Sequence, residues 1–84
     1  MASFWTYILQ SQKSGRCYVG HAEDVVYRTA EHNGGKVTST CNKGRWELVY
    51  REEFATRAEA AARERQIKRM KSHRWIERLV RASR

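Results

Sequence analysis

The chain has 84 residues, and at roughly 100–200 residues per domain that leaves room for a single domain, residues 1–84, with one core. Seventeen Lys and Arg against nine Asp and Glu give a net charge of +8, and +7 of it lies between Arg57 and Arg84, which favours a polyanionic partner and argues against a cationic substrate. A mean hydropathy of −0.83 and short apolar runs exclude a membrane span, and the start MASFWTYIL does not read as a secretion signal, so a cytoplasmic protein without a membrane partner is expected.

Ser3 to Gln10 (SFWTYILQ) is aromatic and β-branched, SQKSGR reads as a turn, and Arg16 to His21 (RCYVGH) completes a β-hairpin. Asp24 is a good N-cap for a helix through VVYRTAEH, which Asn33-Gly34-Gly35 should end. Lys36 to Gly44 is a polar loop, and Arg45 to Phe54 (RWELVYREEF) alternates as a third strand. Thr56-x-x-Glu59 is a capping box that opens a strong helix, RAEAAARERQIKRMK. Ser72 can cap a final helix, HRWIERLVRAS, with Trp75, Ile76, Leu79 and Val80 on one stripe that belongs in the core of so small a chain. The order β-β-α-β-α-α predicts an α+β fold, a small three-stranded antiparallel sheet flanked by helices.

Cys17 and Cys41 match no C-x-x-C pattern, and Cys17, His21, His32 and Cys41 lack the usual zinc spacing, so reduced, unpaired thiols are expected. Glu64 stands out. At about 100° per helical residue it shares a stripe with Ala60, Ile67 and Lys71, where the helix should bury its apolar face. Either it pairs with Arg57, Lys68 or another neighbouring base, or it is a metal ligand or catalytic carboxylate, since a charge near a core must be paired or coordinated. Tyr7 and Tyr18 fall on adjacent strands, and Gly20 in a strand-like run suggests a bulge or a close backbone approach. Arg28 and His32 share a helix face with Val25, either solvated or aimed together at a phosphate.

Taken in chain order, Trp5-Thr6-Tyr7, Tyr18-Val19-Gly20, Arg28, His32-Asn33 and Glu64 within ARERQIK resemble the GIY-YIG nuclease domain over roughly Trp5 to Val80. The likeness is greatest to its small stand-alone bacterial members, relatives of the nuclease domain of the excision-repair protein UvrC and of homing endonucleases. Gly-Ile of the first motif is replaced here by Trp5-Thr6, while the tyrosine is kept.

The resemblance implies a divalent-metal-dependent DNA endonuclease of low sequence specificity, serving repair, recombination or processing, with products bearing a 5′-phosphate and a 3′-hydroxyl. Glu64 would hold one Mg2+ or Mn2+, and no small-molecule cofactor is expected. Arg28 would clamp non-bridging oxygens. Tyr7, assisted by Tyr18 and His32, would be the base or orient the water. A phenol titrates near pH 10, so Tyr7 needs nearby positive charge to act as a base, and a neutral His32 is the rival. Lys36, Lys43 and Arg45 with Thr38, Ser39 and Thr40, then Arg69, Lys71, Arg74 and Arg78, could form the track that binds the nucleic-acid backbone. The alternative is a basic nucleic-acid-binding module with this fold and little turnover, recognisable by salt-dependent binding without cleavage.

Overall fold

The computed structural model describes residues 3–34, 44–70 and 73–82. Lys36, Thr38, Ser39, Thr40, Cys41, Lys43, Lys71 and Ser72 lie outside them. The elements follow the expected order: β1 (Phe4–Ser11), β2 (Cys17–Ala22), α1 (Val25–Asn33), β3 (Trp46–Phe54), α2 (Arg57–Met70) and α3 (His73–Ala82). The strands form one antiparallel sheet in the order β2-β1-β3, so β1 is central and β2 is an edge.

Local chemistry accounts for the boundaries. Gly15, at φ 76, supplies the positive angle that closes the β1–β2 turn, where its N–H donates to the Ser11 carbonyl at 2.9 Å. Asp24 caps α1 by accepting from the Tyr27 N–H at 2.9 Å. At its other end, α1 stops on Gly34 in a right-handed conformation (φ −80, ψ 0) rather than the left-handed one usual for a glycine cap. Thr56 opens α2 by accepting from the Glu59 N–H at 3.2 Å, and its hydroxyl donates to the Glu59 carboxylate at 3.0 Å.

Strict alternation along β3 fails at one place. Ile8 pairs with Tyr50 and Leu9 with Leu48, so Val49 is an extra residue, a β-bulge that shifts the parity of the strand. Trp46 and Leu48 therefore join Tyr7, Leu9 and Val25 under α1, while Val49 and Tyr50 join Ile8, Val19 and Ile67 on the opposite face. That second layer is completed by Trp75, Ile76, Leu79 and Val80 of α3, the stripe expected from the sequence. No helix among the described residues is long and apolar enough to cross a membrane.

The end of α1 is fastened to the start of β3. The Asn33 side chain accepts from the Trp46 N–H at 2.7 Å and donates to the Trp46 carbonyl at 3.1 Å. Replacing Asn33 by Ala removes both partners from that backbone at once. Asn33→Ala should cost about 1–2 kcal/mol, read as a Tm several degrees lower in thermal unfolding followed by circular dichroism.

Candidate active site

Tyr7 is 1% exposed and sits on the α1 face of the central strand. Its cross-strand partner is Gly20. A Cβ built on Gly20 would lie 2.7 Å from the Tyr7 hydroxyl oxygen and 2.8 Å from Cζ, so the phenol occupies the space a side chain would fill. This is the close approach expected at that glycine, and it requires no unusual backbone angle. Gly20→Ala should therefore displace the phenol, costing about 1–3 kcal/mol; chemical denaturation measures that loss, and a cross-strand register left intact by NMR would separate it from unfolding.

The Tyr7 hydroxyl lies 3.2 Å from Nε2 of His32, which α1 carries inward and which is 2% exposed. Tyr18, diagonal to Tyr7 on β2, closes the group: its ring centroid is 4.6 Å from that of His32 and 6.4 Å from that of Tyr7. Arg28, one turn before His32, lies against the phenol and also donates to Glu31 at 3.3 Å.

Electrostatics in this group run opposite to what a phenolate base would need. Burial pushes the Tyr7 hydroxyl up to about 12, and the opposing Arg28 guanidinium does not outweigh it. Burial, helped by the Arg28 charge, lowers His32 below the usual imidazole range, so His32 is neutral at neutral pH. The buried pair is thus a protonated phenol facing a neutral imidazole, with a guanidinium beside it.

Glu64 approaches from the other side of the sheet. Ala60 and Ile67 of its stripe are fully buried, and Ala60 is further held by a 2.7 Å hydrogen bond from the Thr6 hydroxyl to its carbonyl. That packing turns the Glu64 side chain, 17% exposed, toward β2. One carboxylate oxygen lies 2.7 Å from Nδ1 of His21, and the other accepts from Lys68 Nζ at 2.8 Å. Burial alone would raise its pKa, but the hydrogen bonds from Lys68 and His21, with their charges, prevail and hold the carboxyl below the usual range. The Glu64 charge is felt at Tyr7, where it helps to raise the phenol.

The structure thus brings Tyr7, Tyr18, Arg28 and His32 together on one face, with Glu64 meeting the edge strand from the other. Arg57 turns to Glu23 at 3.3 Å, not to Glu64. Arg45, Arg69, Arg74 and Arg78 are exposed, and Lys36, Lys43 and Lys71 lie outside the described residues. Cys17 is a free thiol, raised by burial. The partner that sequence reasoning missed is His21; its only signal was its place directly after Gly20.

A single ionised, half-buried carboxylate suits a hydrated Mg2+ or Mn2+, which keeps most of its waters and takes substrate phosphate. Among the described residues no three His, Cys, Asp or Glu side chains converge, so a closed structural metal site is not built there.

A family model described as the GIY-YIG catalytic domain matches residues 3–76. A UPF0213 protein of Staphylococcus epidermidis is 39% identical over 69 residues, covering 81% of this chain and 83% of that one. A UPF0213 protein of Staphylococcus saprophyticus is 38% identical over the same length. The solution NMR structure of a UPF0213 protein from Bacillus halodurans superposes with a TM-score of 0.60 at 32% identity, covering 95% of this chain and 84% of that one.

Proposed function

The chain belongs to the GIY-YIG family of nuclease catalytic domains, and on that premise we propose that it is an endonuclease that hydrolyses DNA phosphodiesters with a divalent ion and little sequence preference. The observation that carries this reading is the Tyr7 hydroxyl at 3.2 Å from a buried His32, with Arg28 beside it. The hydrogen bond satisfies both buried groups, and the partly exposed guanidinium beside them leaves the pair open to an anion. That arrangement suits acid–base chemistry next to a phosphate.

Each residue then has a role its environment supports. Arg28, able to grip two oxygens at once, holds the non-bridging oxygens. The Tyr7 hydroxyl orients the attacking water; as the water loses a proton to the phenol oxygen, the phenol passes its own to Nε2 of His32, whose imidazole is neutral. Tyr18 packs against both rings and fixes their separation. Glu64 would hold the family's divalent ion, which supplies charge neutralisation at the phosphate and help for the leaving oxygen. The Tyr7 hydroxyl lies over Gly20 and Glu64 meets His21, the next residue of the edge strand β2, so a nucleic-acid backbone would have to approach along this edge to meet both. Exposed Arg45, with Lys36 and Lys43 nearby in sequence, and Lys71 after α2 would extend the phosphate track. Phosphate contacts of this kind carry no sequence information, so little sequence preference is expected.

A second reading is favoured by one observation: both oxygens of Glu64 are engaged internally, by His21 and Lys68. In that case the chain is a basic binding module with little turnover. Incubation with supercoiled plasmid and Mg2+ or Mn2+ separates the two. Nicked circles that disappear with EDTA support the endonuclease. Binding that weakens steeply with salt, without cleavage of plasmid, flap or single-stranded DNA, supports the module.

A further inference from the structure

We propose that His21 is a second protein ligand to the ion held at Glu64, giving this chain a mixed nitrogen–oxygen site that prefers a transition-metal cation over Mg2+. The inference rests on the reading of Glu64 as the metal-binding carboxylate and adds a residue to it.

The geometry is the starting point. Nδ1 of His21 and Oε1 of Glu64 are 2.7 Å apart, from residues 43 positions apart in sequence. Neighbouring donors in an octahedral sphere with bonds of about 2.1 Å stand about 3.0 Å apart. A separation of a few tenths of an ångström converts the hydrogen-bonded pair into two adjacent ligands. Neither backbone need move, because Glu64 has three side-chain torsions and His21 is on an edge strand.

The position of the pair also matters. His21 directly follows Gly20, whose missing side chain makes room for the Tyr7 phenol, so the pair stands at the strand residue next to the proposed proton relay, on the opposite face of the sheet. His21 and Glu64 are partly sheltered, with side-chain exposures of 29% and 17%. The one comparable pair among the described residues, His73 and Glu77 at 3.1 Å, is more than half exposed and lies on α3, away from the phenol. To accept a cation, the neutral imidazole adopts the tautomer with its proton on Nε2, which frees the Nδ1 lone pair. Nitrogen donors of this kind suit Mn2+, Co2+ and Ni2+ in rising order, whereas Mg2+ gains little from them.

The test is calorimetric titration of the untagged, intact chain with Co2+ and separately with Mg2+, without DNA. All proteins carry His73→Ala to remove the exposed pair. The parent should bind Co2+ at least about tenfold tighter than Mg2+. His21→Ala should lose about tenfold in Co2+ affinity with Mg2+ affinity unchanged, and Glu64→Gln should weaken both. Visible absorption of the Co2+ form, shifted in His21→Ala, gives a readout independent of affinity.

Equal Co2+ affinity and spectrum in His21→Ala and the parent, with both ions lost in Glu64→Gln, would overturn the proposal and leave the Glu64 reading standing. Unchanged binding of both ions in Glu64→Gln would overturn the Glu64 reading and the proposal with it.

Discussion

Glu64→Gln should abolish metal-dependent nicking, lowering the rate by at least about 10²–10³-fold, while the protein stays folded. Glutamine keeps the length and shape of the side chain and can still accept from Lys68 Nζ, so the packing of Ala60 and Ile67 against the sheet is undisturbed. What it lacks is the negative charge that attracts a divalent ion. The ion pairs lost are partly exposed, each worth no more than about 1 kcal/mol, so Tm should fall by only a few degrees. Plasmid nicking beside a thermal melt decides the matter: a folded Glu64→Gln protein that nicks at the parental rate removes Glu64 from the mechanism.

Tyr7→Phe should have the second-largest effect, a loss of about 10²–10⁴-fold in nicking rate. The ring still fills the space over Gly20, so the change is confined to one hydroxyl and its contacts with His32 and Arg28. Unfolding should cost only about 1 kcal/mol less, which separates a chemical role from a packing one. The pH profile of the parent adds a second measurement. Because burial lowers His32, the imidazole stays neutral until the pH drops below the usual histidine range, and only then should the rate fall. The same shift acts on stability in the same direction: the unfolded chain takes up the proton first, so stability declines as the pH falls below the ordinary imidazole value. With the Tyr7 hydroxyl near 12, no activating limb from a free phenolate should appear at neutral pH. A rate that is flat through the acid range would exclude His32 as the proton acceptor.

Much of the fold was legible because it depends on neighbours in sequence. Asp24 and Thr56 cap the helices they were expected to cap, since capping needs only a side chain and an N–H three residues on. The aim of Glu64 toward the sheet followed from helical periodicity alone. The bulge at Val49 was hidden, because an extra residue in a strand leaves no mark unless the partner's register is known. The contact between His21 and Glu64 was hidden for the same reason: it depends on how α2 lies across β2. The direction of the Tyr7 shift was equally out of reach. A phenolate base needed nearby positive charge to lower its pKa, but the outcome is set by how completely the sheet and α1 bury the phenol, which is a property of the whole layer.

The double hydrogen bond between Asn33 and Trp46 has a consequence for how such a chain can diversify. It joins the chain on either side of residues 34–45 independently of what those residues are. Doubling the length of the segment between them would add only about 0.6 kcal/mol of closure entropy, and neither His32 nor the first residue of β3 would have to shift. The sequence between the two fastened ends can therefore change in length and composition while His32 and the start of β3 keep their places.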